Sequence, residues 1–543
     1  MSMISRRSFL AGSTLAAGGL LAACGGSQSG ASTAAGQGAS SGAAKVVRFG
    51  MGALGAPLDM QKNGMSVAGT LTDSVFEGLL TWTDDLELVP TLLAAMPTFE
   101  DDGVTLPCEL LEGVKFHDGS SLSSADVKFT FERMFNPATG AGNYNPYLQI
   151  KGAPEMLAGK RDNLDEGIII QDDTHFSFVL SEPSATFIPS LGIFYAHIFP
   201  HEACAAAGDA WGTGTNVVGT GKFRLVSNDD TTEAVFERFA DYHGEPAALD
   251  EARIKYYDDA NTKLLAFKKG DIDWCDIGFS LYGQYKDDAD FAGNTYPYQP
   301  LGLQFVNLNL HDKQLADLRV RKALSLAINR QELVDTIMDG QGQAASGFLT
   351  PQIPGYDDKS EAFAYDPDQA RKLIAEACPD GLKLEFRTRA LFSTVAEALQ
   401  GYWQEVGVQV NLQQLDNGVF MEDWAKGNLQ ILVNGWFADY PSGDGLLSYF
   451  EAKNAANHGC YYANDEFDAL MGKARVELDE TAQADLYRQA DDIASRQDYA
   501  MIPLLYPHYN YAAKPYVKGH KVGNMSFHMT GIDVDTSDPA YKG

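Results

Sequence analysis

Cysteine is scarce. The 543 residues hold six, at Cys24, Cys108, Cys204, Cys275, Cys378 and Cys460, with no Cys-x-x-Cys pair. That spacing indicates neither a thioredoxin-like redox centre nor a zinc ribbon, and a chain of this size does not need a disulfide framework. Beyond Cys24 an odd five remain, and buried reduced thiols packing as small hydrophobes are the expectation. Positive charge is also in short supply: Lys and Arg number 41 against 73 Asp and Glu, a net charge of −32. Such a surface repels nucleic acid and anionic lipid and favours solubility. Past Cys24 no run is long and apolar enough to span a bilayer. No internal repeat of about 20–50 residues is found.

The usual catalytic signatures are missing as well. Gly50-Met-Gly52-Ala-Leu-Gly55 follows a strand with dinucleotide-loop spacing, but Ala56-Pro57 breaks the helix that would receive a pyrophosphate. There is no phosphate-binding Gly-x-x-x-x-Gly-Lys loop and no Gly-x-Ser-x-Gly nucleophile elbow. His201-Glu202 lacks the second histidine of a zincin helix. His117, His175, His197, His201 and His243 are scattered, and surface or satisfied core histidines are expected at all five. No cofactor and no metal are expected.

What is present begins at the N-terminus. Arg6-Arg7 precedes an apolar, Gly- and Ala-rich stretch from Phe9 to Ala23, which stops at Leu21-Ala22-Ala23-Cys24. The order of an arginine pair, a short apolar core and small residues reads as a twin-arginine export signal and not as a membrane helix. Leu-Ala-Ala-Cys resembles the lipobox of bacterial lipoproteins, which implies cleavage before Cys24 and lipidation of its thiol. Residues 25–44, rich in Gly, Ser, Ala and Gln, then form a flexible leash. Acyl chains contribute roughly 0.8 kcal/mol per buried CH₂, so multiple acylation holds a protein to a membrane without a spanning helix.

The remaining roughly 500 residues suffice for two or three lobes. Helices and strands alternate, which indicates an α/β or mixed class. Lys45–Gly50 reads as the first strand. Ser123 and Asp126 form a capping box ahead of the apolar stripe Val127, Phe131, Met134 and Phe135. Asp317–Ala327 is amphipathic, and Asp366-Pro367 opens another helix.

One segment stands apart. After a strand at 429–433 comes Gly435-Trp436-Phe437-Ala438-Asp439-Tyr440-Pro441. Three aromatics around an acid exclude water, and a carboxylate in a dry site needs a positive partner. A ligand ammonium meets that need through charge-assisted hydrogen bonds. A turn aspartate capping its own backbone beside core aromatics is the competing explanation.

The chain resembles the extracytoplasmic solute-binding proteins of ABC importers, in the peptide- and nickel-binding family, and most of all the oligopeptide binders. The likeness runs from about Val46 to about Gly519. It rests on Phe76-Glu77-Gly78-Leu79-Leu80, then Leu111–Gly119 followed by Ser123–Val127, and on Gly219–Phe223, Ala260-Asn261-Thr262, Gly270–Asp273, Leu318–Leu324 and Ile502-Pro503-Leu504 in the family's order. The resemblance implies a two-lobed, periplasmic-binding-protein-like α/β fold (type II, large cluster) with a hinge cleft. Lobe I would comprise 45–76, 215–299 and 507–543, with an extra subdomain at 77–214, and lobe II would comprise 300–506. It implies a non-enzymatic receptor, monomeric and tethered outside the cell, that passes di- to oligopeptides to permease and ATPase subunits. Asp439 would grip the peptide α-amino group, with Asn434, Trp436, Phe437 and Tyr440 around it and Tyr144, Tyr147 and Tyr506 near the cleft. The chain departs from such binders where they place bases before the Trp: Trp424 and Val433 stand there, with Lys426 the only base nearby. An acid near the amino end is replaced around Gly64, and a cysteine is replaced by Phe437. A nickel chelate, an oligosaccharide or another cationic solute is the alternative ligand, and a tethered hydrolase the alternative outside the family.

Overall fold

The computed structural model describes residues 44–64, 66–279, 281–522 and 528–543. Arg6, Arg7 and Cys24 lie outside them. Two large sheets organise the rest. The first has seven strands, in the order Thr295–Tyr298, Tyr509–Ala513, Trp274–Asp276, Val46–Met51, Glu251–Tyr256, Glu233–Arg238, Phe223–Asn228. Val46–Met51 runs parallel to both of its neighbours. Alternation along it sends Val47, Phe49 and Met51 into a core shared with Ala252, Ile254 and Trp274.

The second sheet has six strands, in the order Gly342–Ala344, Ile502–Pro507, Gly302–Leu308, Ile431–Phe437, Lys383–Thr388, Gln409–Gln414. Every residue of Gly302–Leu308 is buried, as expected of a central strand covered on both faces. A third body packs beside the first sheet. It holds a three-stranded sheet of Thr105–Glu109, His175–Val179 and Ile168–Ile170, the hairpin Leu80–Trp82/Leu88–Pro90, and the helix Ser124–Phe135. That helix starts as its sequence requires: Ser123 N–H donates to Asp126 Oδ2 at 2.8 Å. Phe131, Phe135, Phe176, Phe178 and Phe187 fill the interior of this subdomain.

The lobes are joined by two strands running side by side. Thr295–Tyr298 pairs with Tyr509–Ala513 in the first sheet, and Gly302–Leu308 pairs with Ile502–Pro507 in the second. Only Gln299, Pro300 and Leu301 on one strand, and His508 on the other, separate the two ladders. Such a short antiparallel ribbon can bend while keeping the lobes in register, which is the geometry of a hinge.

The lobes are in contact across the cleft. Tyr440, from lobe II, is buried in the core of the subdomain and stacks on Trp82 with ring centres 6.2 Å apart. Ala185 N–H donates to Arg475 O at 2.8 Å, and Lys286 Nζ meets Asp339 Oδ1 at 2.9 Å. Leu86 reaches across from the hairpin tip against the lobe II core. Its φ of 63° is a left-handed conformation that costs a leucine roughly 1–2 kcal/mol.

The sequence pattern ends the strand before Asp439 at Val433. In the structure the strand is Ile431–Phe437, because Gly435 and Trp436 continue the ladder against Gln304 and Leu303. The five described cysteines beyond Cys24 are all free.

Candidate ligand cleft

Asp439 lies two residues beyond the Ile431–Phe437 strand. The chain there is tied to the hinge, since Ala438 N–H donates to Leu301 O at 2.7 Å. This fixes Asp439 at the rim of lobe II, where it shares a cavity with Trp82 and Phe194 of the subdomain and with Asp73 of the first lobe. The Tyr195 hydroxyl donates to Asp439 Oδ1 at 3.4 Å. Among the described residues no Lys, Arg or His forms an ion pair with it. Burial pushes its carboxyl up from 3.8 to about 6, opposed by the bond from Tyr195. A carboxylate held this way is unfavourable until a cation arrives. Among the described residues no backbone N–H of its own turn donates to its oxygens, unlike a turn aspartate that caps its own backbone.

The aromatic neighbours divide by face. Asn434 and Trp436, two apart on the strand, both turn toward Tyr449. Trp436 meets that ring edge-on at 4.9 Å and donates Nε1–H to Gly445 O at 2.9 Å, while Asn434 Nδ2 lies 3.5 Å from the Tyr449 hydroxyl. Phe437 takes the opposite face, packs on Tyr509 and remains 39% exposed. Four of the expected contacts lie in core positions. Asn434 is buried inside lobe II. Tyr440 is spent on the subdomain core. Tyr147 is fully buried and gives its hydroxyl to Ser190 O at 2.9 Å. Tyr506 is fully buried with its hydroxyl accepting from Gly347 N at 3.1 Å. Tyr144 is half-buried against the subdomain core.

Two groups that sequence reading missed come into view. Arg389 follows the strand Lys383–Thr388, which runs parallel to Ile431–Phe437 with Arg387 opposite Leu432. Arg389 therefore reaches the same end of the sheet as Asp439, the carboxyl end of its parallel strands, where ligands of such sheets collect. Its guanidinium lies over the rings of Phe392 (5.4 Å) and Phe420 (5.0 Å). Nη1 has only a long bond to Asn417 Oδ1, 3.4 Å, and the buried Nε has no partner. No carboxylate among the described residues pairs with it, and burial lowers its pKa. The second group is a relay on the cavity wall. His197 Nε2 lies 3.3 Å from Asp73 Oδ1, and His528 sits between Asp73 (3.4 Å) and Asp84 (3.1 Å). Desolvation works against the charged His528 ring, but bonds to Asp73 and Asp84 outweigh it and push the ring up to about 10. Among the described residues no group of three or more His, Cys, Asp and Glu could hold a metal ion.

Residues 87–458 match the bacterial extracellular solute-binding proteins, family 5 Middle, over more than half of the chain. The chain belongs to this family. It is 26% identical over 472 residues to the periplasmic oligopeptide-binding protein OppA of Haemophilus influenzae, covering 82% of this chain and 85% of that one. It is also 26% identical over 493 residues to heme-binding protein A of the same organism, covering 86% and 87%. Its fold is similar to that of a periplasmic oligopeptide-binding protein of Borrelia burgdorferi, with a TM-score of 0.79 over 90% of this chain and 100% of that one, at 24% identity. The protein is therefore a two-lobed solute-binding protein and not an enzyme. No helix among the described residues is long and apolar enough to cross a membrane.

Family relatives named for oligopeptide and for heme show the same identity, so the choice of ligand rests on the side chains of the cleft. The bases sought just before Trp436 do not reach it in this family member. Lys426 is exposed and paired with Glu422, Trp424 donates Nε1–H to His458 O at 2.9 Å, and Val433 is core. The unpaired base stands one parallel strand earlier, at Arg389.

The raised Asp439 carboxyl has a consequence for stability. Between about pH 4 and pH 6 the folded chain keeps a proton that the unfolded chain has lost, so the unliganded protein loses stability as pH rises through this window. Asp439→Asn removes that loss. The variant without ligand should be more stable than the parent by roughly 1–3 kcal/mol at pH 7.5 and no more stable at pH 3.5. Urea midpoints at the two pH values check this, and an equal gain at both would remove Asp439 as its source.

Proposed function

We propose that the protein is the extracytoplasmic receptor of an ABC importer, capturing peptides by both of their charged ends in the interlobe cleft and delivering them to the permease. The observation that carries this reading is the half-buried Asp439 carboxylate, which among the described residues has one long hydrogen bond and no counter-ion. A peptide α-ammonium supplies three donors and the missing charge. Arg389, equally without an ion-pair partner, offers a planar donor fork suited to the α-carboxylate. Peptide-binding relatives support the same ligand class. A nickel chelate, an oligosaccharide or another cationic solute would answer Asp439 but leave Arg389 unmatched. The Arg6-Arg7 signal and the lipobox-like Cys24 support a receptor lipid-anchored on the outer face of the cytoplasmic membrane, with residues 25–44 as its tether.

The test pairs variants with blocked peptides. Asp439→Asn should weaken a free-ended tripeptide at least tenfold, about 1.4 kcal/mol. Blocking the peptide amine by acetylation should cost the parent a similar amount, and the two losses should not add. Arg389→Gln and C-terminal amidation should behave the same way at the other end. Full additivity at either end, or unchanged affinity, would remove that residue from the site. For the anchor, Cys24→Ser should move the protein from the membrane to the soluble fraction, and retention on the membrane would refute lipidation.

A further inference from the structure

The cavity beside Asp439 has a chemistry of its own. A narrow cavity lies between the subdomain hairpin, the first lobe and Asp439. Three carboxylates line it, from Asp73, Asp84 and Asp439, against two imidazoles, from His197 and His528. The wall therefore carries excess negative charge whichever protonation state His197 takes. His528 is committed to two carboxylates at 3.4 and 3.1 Å. His197 is only 6% exposed, and its Nδ1 is buried without a hydrogen-bond partner. The tautomer that gives Nε2–H to Asp73 leaves a lone pair on Nδ1. With Asp439 given to the α-ammonium, the hydrogen-bonding positions left open among the described residues of this wall, at Asp84 Oδ1 and His197 Nδ1, both accept.

A ligand group that satisfies acceptors beside surplus negative charge must donate without accepting. Among amino-acid side chains the ammonium of Lys and the guanidinium of Arg do this, and Trp82 on the same wall adds an aromatic surface that tolerates a cation. A carboxylate side chain would add negative charge to a wall where Asp73 and Asp84 already outnumber the one imidazole they share, His528, at several-fold loss of affinity. If the ligand amine sits on Asp439, the first side chain is the part of the peptide closest to this wall.

We propose that the cavity selects peptides whose first residue carries a cationic side chain, with Asp84, Asp73 and His197 setting the preference. The inference rests on the peptide-receptor reading above and adds to it the class of peptide.

The test uses full-length protein stripped of bound ligand and three tripeptides, Lys-Ala-Ala, Ala-Ala-Ala and Glu-Ala-Ala, titrated calorimetrically at pH 7 in about 50 mM and about 300 mM salt. The expected order is Lys over Ala over Glu, with at least tenfold between the first and last, and a ratio that shrinks at the higher salt. Asp84→Asn should lower the Lys-to-Glu ratio at least threefold. Peptides that all bind with equal affinity, or a preference for Glu, overturn the selectivity and leave the receptor reading intact. If none of the three binds, the receptor reading fails, and this inference fails with it.

Discussion

A carboxylate largely shielded from water, with no counter-ion among the described residues, constrains everything around it. The backbone at Asp439 is held at the lobe rim by the bond from Ala438 N–H to Leu301 O. The protein tolerates the unfavourable state because the surrounding structure is stiff. The central strand Gly302–Leu308 is buried along its whole length, and the Trp436 ring behind Asp439 is fixed to Gly445 and Tyr449. On the proposed reading, stability given up at this one residue becomes affinity when a ligand cation fills the site.

Closure uses the residue next in line. Tyr440 leaves the lobe II surface and completes the subdomain core on top of Trp82, while Asp439 faces the cavity. Burial of an aromatic side chain contributes roughly 1.5–3 kcal/mol. The side chain at the cavity and the side chain in the subdomain core are thus consecutive on one turn. Tyr195 links them again from the subdomain side, with its hydroxyl on Asp439.

Much of this was legible in the sequence where the signal was local. The Ser123–Asp126 cap, the apolar stripe behind it and the aromatic frame of Asp439 are all encoded within a few neighbouring residues. The strand through Gly435 was not, because a glycine followed by tryptophan looks like an exit. It continues because Gly435 and Trp436 pair with Gln304 and Leu303 of the central strand, and glycine suits the position since a Cβ there would crowd the Phe437 ring at 3.2 Å. Resemblance brought Tyr147, Tyr506 and Asn434 to the neighbourhood of the cleft but could not say which way they point, and packing turned all three inward. Arg389 and His528 escaped notice for the opposite reason. An unpaired guanidinium or a shared imidazole is defined by partners remote in sequence, Asn417 and Phe420 for one, Asp73 and Asp84 for the other.

The hinge carries a further implication. His508 alone separates the strand Ile502–Pro507 of one lobe from Tyr509–Ala513 of the other. Side chains alternate along an extended chain, so the inward and outward faces of the two sheets are locked in phase through that one residue. An insertion or deletion of one residue at this point would turn Tyr511 and Ala513 from the core to the opposite face. The ribbon can bend freely, but it cannot change length by an odd number of residues. Lineages that lengthen this crossover are expected to do so in pairs.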